Sequence, residues 1–188
     1  MESCSNCPLK KNELLLLNPK NIDSIKIMTV TEGPNKREPI EIITSFANHP
    51  TFTFLFSLFK GNYNPIGENA NVYWTHVRKC FLQEDKTSEK GAGRLCEKYL
   101  QDEISALKPS LIVAVGKSAY RAITGDKTKL LDVIQKERTN TLIHQTDEIR
   151  CELAVLPHPS GLNVFWNDIS IETFKTLTVI QKRILKYV

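Results

Sequence analysis

The chain has 188 residues, of which 41% are apolar and 24% are charged. That length suits one α/β domain with a sizeable packed core and leaves little room for two domains. No run of about 18 apolar residues occurs, and the leucines at 14–17 are too few and too late for a signal peptide, so we expect a monomeric cytoplasmic protein. A formal net charge of +4 permits a polyanionic partner without identifying one.

The predicted elements alternate between strand and helix along the chain. Four runs rich in apolar and β-branched residues predict strands, and apolar residues at helical spacing predict an amphipathic helix that ends before Pro109. The predicted strands span 24–31, 71–80, 110–115 and 151–156, and the predicted helices span 95–107, 117–124 and 168–187. This alternation predicts one domain over 1–188, a three-layer α/β/α sandwich with a central, mainly parallel four-stranded sheet. Functional loops in such sheets lie beyond the carboxyl ends of the strands.

Five cysteines in a chain without a secretory signal favour metal ligation or free thiols over a disulfide framework. Cys4 and Cys7 form a C-x2-C knuckle, Cys80 ends the second predicted strand, and Cys96 lies in the helix that follows. Four thiolates suit a 4Fe–4S cluster, in which each iron binds one cysteine. Zinc is the less favoured alternative because structural zinc more often uses two short knuckles, and spacing alone also leaves unrelated thiols open. Cys151, in an apolar strand, is predicted to be a small core residue.

Several short motifs follow one another in a definite order. They are C-x-x-C at 4–7, T-E-G-P-N at 31–35, T-H-V-R-K-C at 75–80, the helical Cys96, K-P at 108–109 and H-P-S at 158–160. Each motif is weak alone, but their joint order resembles that of the iron–sulfur uracil-DNA glycosylases of family four over most of the chain. The resemblance implies DNA as the partner and hydrolysis of the bond between a flipped-out base and its deoxyribose. It also implies a 4Fe–4S cluster on Cys4, Cys7, Cys80 and Cys96.

The resemblance further implies roles for the loops after the first and last strands. Glu32, or Asn35, would position the attacking water, with Glu38 either a second carboxylate or a solvated loop charge. We favour Glu32 because an acidic side chain directly after a buried strand is costly unless it is paired or used. His158 would hydrogen-bond the base carbonyl as negative charge develops on it. No lysine stands where a Schiff base is expected, so we expect hydrolysis without lyase activity.

Two further groups of residues would meet the substrate. One would line the base pocket, with Phe46 stacking on the base, and the other would contact DNA, with Leu162 wedged into the duplex. Arg78 would follow the DNA backbone together with its lysine neighbour. The predicted pocket residues are Gly33, Glu38, Phe46 and His76, and the predicted DNA contacts are Lys79, Ser160 and Leu162.

The sequence departs from the family pattern at the expected base pocket. His76 stands where the family has an asparagine, and Thr31 and Asn35 replace glycines of the first loop. An imidazole carries its donor and its acceptor on different sides of the ring, so it cannot pair with one base edge as an amide does. The sequence therefore predicts excision of uracil with altered geometry or of a modified pyrimidine, such as a hypermodified cytosine of phage DNA removed in antiviral defence. A catalytically inactive iron–sulfur DNA-binding protein of the same fold is the competing hypothesis.

Overall fold

The computed structural model describes residues 22–34, 50–65, 69–80, 89–137, 139–159 and 171–188. Strands and helices alternate along these residues, and a 3-10 turn at Ile22–Ser24 precedes the first strand. The strands are β1 (Ile27–Thr31), β2 (Val72–His76), β3 (Leu111–Val115), β4 (Leu142–Gln145) and β5 (Arg150–Leu156). The helices are α1 (Pro50–Leu58), α2 (Glu89–Leu107), α3 (Lys117–Thr124), α4 (Leu130–Glu137) and α5 (Ile171–Ile184).

The strands form one five-stranded sheet in the order β2-β1-β3-β5-β4. The pairs β1–β2, β1–β3 and β3–β5 are parallel, whereas β4 runs antiparallel to β5. The predicted α/β sandwich with a mainly parallel sheet is confirmed, but the described sheet has five strands rather than four. The unpredicted strand is the edge strand β4, in which only His144 is buried, so it lacks the apolar run that indicated the others.

Helices cover both faces of the sheet and create two separate apolar cores. Successive residues of β3 alternate between them, with Ile112 and Ala114 in one core and Leu111, Val113 and Val115 in the other. Buried residues of α2, α3 and α4 belong to the first core, and those of α1 and α5 to the second. The resulting three layers place β3 at the centre, where all five of its residues are fully buried.

Local signals explain where the helices of the first core begin and end. The helix α3 starts after Gly116 and ends at Gly125, whose left-handed conformation lets its N–H bond Arg121 O. On α2, Leu100 and Ile104 are four residues apart and point into the core. None of the described helices is both long and apolar enough to cross a membrane.

A buried ion pair completes the edge of β5 beyond its pairing with β4, which stops at Leu153. Arg183 of α5 donates to Leu153 O at 2.9 Å, and Glu137 of α4 accepts from Val155 N at 2.9 Å. Arg183 Nη1 and Glu137 Oε1 lie 3.0 Å apart, and the two residues are 5% and 1% exposed. The side chains of Arg183 and Glu137 thus satisfy main-chain groups of β5 that a longer β4 would otherwise pair.

Candidate active site

The carboxyl ends of β1, β2, β3 and β5 lie on one side of the sheet because these strands are parallel, and we call this side the carboxyl edge. Glu32 directly follows β1, His76 ends β2, and His158 lies just after β5. The structure therefore brings three predicted site residues to the same edge. Adjacent strands are about 4.8 Å apart, so the ends of β1 and β5, with β3 between them, are separated by roughly 10 Å.

Thr31 and His76 are register partners across β1 and β2 and contact each other directly. Thr31 Oγ1 lies 2.5 Å from His76 Nδ1, and Trp74 Nε1 donates to the same oxygen at 3.3 Å. All three side chains are buried. Since the indole only donates, the Thr31 hydroxyl proton is satisfied by donation to Nδ1, and we assign the proton of a neutral His76 to Nε2. Thr31 and His76, which both depart from the family pattern, are thus joined by a hydrogen bond.

Main-chain pairing between the first two strands continues beyond their ends. Val77 N donates to Thr31 O at 2.8 Å, and Arg78 N donates to Glu32 O at 2.9 Å. The backbone at Glu32 is therefore held by β2, while the Glu32 side chain is exposed. The argument that an acidic side chain is costly at this position does not apply, because the Glu32 side chain is exposed to solvent. Its position at the carboxyl edge keeps it available to orient a water molecule, which stays a prediction.

The Arg78 side chain joins the segment after β1 to the segment after β2. Its Nη2 donates to Pro34 O at 3.3 Å and its Nη1 donates to Cys80 O at 3.1 Å. A Cβ built on Gly33 would lie 2.5 Å from Arg78 Nη2, and the φ of Gly33 is not in the left-handed region. Glycine at this position is therefore explained by the packing of Arg78, whereas contact of Gly33 with a base stays a prediction.

His158 packs against the turn that joins β3 to α3. A Cβ on Gly116 would lie 3.4 Å from His158 Cβ, and Gly116 has a φ of 90° that side chains rarely adopt. Gly116 N also donates to Leu156 O at 2.7 Å, which ties this turn to the end of β5. The sequence marked Gly116 as the end of a strand. Its contact with His158 was missed because the two residues are far apart in the chain.

Cys80 and Cys96 are buried, at 4% and 5% exposure. Cys80 directly follows Lys79 in the chain, and Cys96 of α2 is close enough to raise the pKa of Lys79 electrostatically. Two predicted cluster ligands are therefore near Lys79, Cys80 along the chain and Cys96 in space. Among the described residues, no group of three or more His, Cys, Asp or Glu side chains is arranged to hold a metal ion. Cys151 lies in the first core as predicted, and burial raises its pKa to about 11.

The prediction that Lys79 follows the DNA backbone is wrong. Lys79 is 2% exposed, and its Nζ donates to Glu103 Oε2 and to Thr75 Oγ1, each at 2.6 Å. Burial lowers the pKa of Lys79, and the Glu103 carboxylate opposes that shift. Glu103 was not singled out from the sequence, although it lies two helical turns after Cys96 on the same face of α2.

The other predicted site residues lie outside the described residues, so their placement stays a prediction. They belong to the N-terminal knuckle, to the segment after Pro34 and to the segment after Pro159. These residues are Cys4, Cys7, Asn35, Glu38, Phe46, Ser160 and Leu162.

Comparison with known proteins finds similarity over most of the chain. Residues 19–181 match the family described as the Uracil DNA glycosylase superfamily. The chain is also similar to the Type-4 uracil-DNA glycosylase of Pyrobaculum aerophilum, with 22% identity over 163 residues that cover 86% of this chain and 80% of that protein. The matched range of the family contains the whole sheet and the carboxyl edge, and it begins after Cys4 and Cys7.

Proposed function

Because the chain belongs to the uracil DNA glycosylase superfamily, we propose that it removes a flipped-out pyrimidine, either uracil or a modified pyrimidine, and leaves an abasic site. As a member of that family it is a DNA glycosylase, a hydrolase that acts on DNA. The reaction needs a positioned water below the sugar and a donor to the departing base, because charge of opposite sign develops at these two places. We propose hydrolysis alone, without a lyase step.

The observation that carries this proposal is the presence of Glu32 and His158 on the same carboxyl edge, just after β1 and β5. The roughly 10 Å between these strand ends leaves room for a nucleoside between the two side chains. The exposed Glu32 carboxylate would orient the water and offset the positive charge of the sugar. The His158 imidazole, held against Gly116, would donate to the base carbonyl oxygen.

The contact between Thr31 and His76 supports a base other than plain uracil. With Nδ1 bonded to Thr31, the ring nitrogen that carries the proton is Nε2, so His76 would present a donor to a base. Cytosine has an unprotonated N3 that accepts such a bond, whereas uracil has an N3–H that does not. A modified cytosine is therefore the finer substrate that we propose, and removal of such a base from phage DNA would serve antiviral defence.

We also propose that Cys4, Cys7, Cys80 and Cys96 bind a 4Fe–4S cluster. The support is that Cys80 and Cys96 are both buried and both close to Lys79, whose charge would offset the negative charge of the thiolates. When bound, the cluster would supply covalent cross-linking of the N-terminal segment to the β2–α2 unit rather than a redox step.

A cysteine exchange tests the cluster. Cys96→Ser is expected to abolish the brown colour and the iron and sulfide content of the purified protein, since it removes one of four ligands. Cys151→Ser is the matched control, because Cys151 is also buried but lies on β5, in the first core. A colourless wild-type protein that contains zinc, or equal iron in both variants, would contradict the proposal.

The glycosylase reaction is tested on oligonucleotides that contain uracil, hypoxanthine or a 5-substituted cytosine. Abasic sites are detected as strand breaks after alkali. Wild-type protein is expected to break at least one of these strands, and His158→Ala is expected to lower kcat by about 100-fold because it removes a donor to the developing charge. His144→Ala is the matched control, since His144 lies on the edge strand β4.

The outcomes separate the alternatives. Breaks at uracil alone would contradict the modified-cytosine proposal while leaving the glycosylase reaction in place. DNA binding without breaks on any of these strands would favour the catalytically inactive binding protein. Equal activity of His158→Ala and wild type would contradict the role given to His158.

A further inference from the structure

Arg78 bonds to three main-chain carbonyl groups at the carboxyl edge. Its N–H donates to Glu32 O, its Nη2 to Pro34 O and its Nη1 to Cys80 O. We propose that Arg78 is a positioning residue, which holds the segment that carries Glu32 against the end of β2. This inference rests on the role of Glu32 in the proposed function and assigns to Arg78 no contact with the substrate.

The chemistry of the guanidinium group suits this role. Arginine presents donors in a rigid planar fork that can bond two carbonyl oxygens at once, whereas the ammonium group of a lysine is a point charge on a flexible stem. The bonds to Glu32 O and Pro34 O lie on the two sides of Gly33. The main-chain N–H and the side chain of Arg78 together hold the segment that carries Glu32 on both sides of Gly33.

Gly33 leaves the space that the Arg78 guanidinium occupies. A Cβ at this position would lie 2.5 Å from Nη2, 2.8 Å from Cζ and 2.9 Å from Nε of Arg78. All three atoms belong to the planar group, so a side chain at position 33 would expel the guanidinium from its place. The prediction is that substitutions at Gly33 and Arg78 act through one interaction and are not additive.

The bond to Cys80 extends the effect to the predicted cluster. Cys80 O and Pro34 O are bonded by the two terminal nitrogens of the same guanidinium. A displacement of Cys80 is therefore passed to the segment of Glu32 through a single planar group. A misplacement of about 1 Å of a catalytic group can cost about 100-fold in rate, so this link matters to the reaction even though no electron moves.

The competing role for Arg78 is a contact with a DNA phosphate. Its side chain is only partly exposed, and both terminal nitrogens already donate to carbonyl oxygens. Loss of a phosphate contact would raise KM and make the dependence of binding on salt less steep. Loss of a positioning residue lowers kcat and leaves the salt dependence unchanged.

The kinetic test compares Arg78→Ala, Arg78→Lys, Gly33→Ala and the double variant Gly33→Ala/Arg78→Ala on the strand that wild type cleaves best. Each single variant is expected to lower kcat by about 10- to 100-fold, with little change in KM. Arg78→Lys keeps the charge but cannot bond both carbonyls, so it is expected to remain at least about 10-fold slow. The double variant is expected to match Arg78→Ala, because the Cβ then enters vacated space.

Arg121→Ala is the matched control, since Arg121 also donates to a main-chain carbonyl, that of Lys127, but on the exposed surface of α3. Its kcat is expected to equal that of wild type. Full activity of Arg78→Lys, additive losses in the double variant, or a loss confined to KM with a less steep salt dependence would each overturn the proposal.

A measurement without substrate separates failure of this inference from failure of the proposed function. Hydrogen exchange of the amide at position 78, which bonds Glu32 O, is expected to speed up in Arg78→Ala and in Gly33→Ala. The amide of Val77, which bonds Thr31 O within the sheet, is expected to keep its protection in both. Unchanged exchange at position 78 would overturn the positioning role whether or not the protein removes a base.

Discussion

Arg183 and Arg78 both bond main-chain carbonyl groups, and their surroundings differ in an instructive way. Arg183 lies at the edge of β5, where it donates to Leu153 O and pairs with the buried Glu137. Arg78 lies at the carboxyl edge, where it donates to Pro34 O and to Cys80 O. The first arginine completes regular structure that would otherwise leave buried groups unpaired. The second joins two segments beyond the strand ends.

Loss of Arg183 is therefore expected to affect the stability of the fold, and loss of Arg78 the geometry of the candidate site. Removing one partner of a buried ion pair leaves a charge in the interior and is strongly destabilising. Removing a clamp between segments at a sheet edge costs less free energy but changes where the attached groups lie. The polar residues near Arg183 are thus explained by the fold alone, whereas those near Arg78 point to a reaction. Five predictions test the division, in order of decreasing effect.

The largest expected effect is that of Arg183→Ala. It removes one partner of the buried pair with Glu137, so the free energy of unfolding is expected to fall by about 3–5 kcal/mol. Urea unfolding measures the loss, and Lys182→Ala, at an exposed position on the same helix, is the control. The kcat of the folded protein is expected to stay unchanged. A change in kcat without a loss of stability would reverse the division between the two arginines.

The same variant has a pH dependence whose sign follows from Glu137. Burial raises the pKa of Glu137 from 4.5 to about 8, against the lowering effects of Val155 N–H and Arg183. A carboxyl group with a raised pKa stabilises the fold below its ordinary pKa, and that contribution is lost as the pH rises towards about 8. Because loss of Arg183 removes a lowering effect on the pKa of Glu137, the deficit of Arg183→Ala should grow as the pH rises above about 8. A deficit that shrinks with rising pH would contradict this reasoning.

Glu32→Gln is expected to lower kcat and leave stability nearly unchanged, the reverse of Arg183→Ala. Because Glu32 is exposed, the free energy of unfolding of this variant should differ from that of wild type by less than about 0.5 kcal/mol. Its kcat should fall by about 100-fold or more, since an amide cannot act as a base towards water. The control is Glu148→Gln, another exposed carboxylate. Unchanged excision by Glu32→Gln would assign the water-positioning role to another residue.

Thr31→Val removes the hydroxyl that contacts both Trp74 and His76 while keeping the shape of the side chain. We expect a loss of about 1–3 kcal/mol in the free energy of unfolding and a change in the ratio of kcat/KM between uracil and modified cytosine. Thr29→Val is the matched control, because Thr29 lies on the same strand as Thr31 and its hydroxyl bonds a different buried side chain, that of Tyr63. Equal base preference in both variants would show that the Thr31 hydroxyl does not control the choice of base.

The smallest effect is expected at the exposed turn after α3. Asp126 accepts from the Tyr120 hydroxyl at 2.6 Å and from Thr128 N at 2.8 Å, and these bonds lower its pKa from 3.8 to about 2. A lowered carboxyl pKa stabilises the fold above 3.8, and the contribution is lost as the pH falls towards about 2. Asp126→Asn should remove that part of the acid dependence of the melting temperature. An identical acid dependence in the variant would contradict it.

The fold was predictable where burial leaves a strong local pattern. The bounds of α3 match the prediction because glycines stand directly before and after it, and β3 matches closely because all of its residues are apolar. The strand β4 was missed because most of it faces solvent. The helices α1 and α4 were not predicted either, since they have only nine and eight residues, too few for a distinct helical pattern.

The candidate site was predictable as a set of loops rather than as a set of contacts. Glu32 and His158 were placed correctly after their strands, because parallel strands in an α/β sheet expose their carboxyl ends together. Lys79 was misassigned as a surface cation. Its neighbours along the chain gave no sign that Glu103 would meet it in the interior.

The sequence by itself determined the alternation of strands and helices, the order of the motifs and the side of the sheet on which the candidate residues lie. The tertiary structure alone decided which polar groups meet: Thr31 with His76 across 45 positions, Arg78 with Pro34 across 44, and Lys79 with Glu103 across 24. The physical reason is that periodicity records which residues are buried. Hydrogen bonds between distant positions depend on strand register and side-chain direction, which arise only when the sheet and its helices pack together.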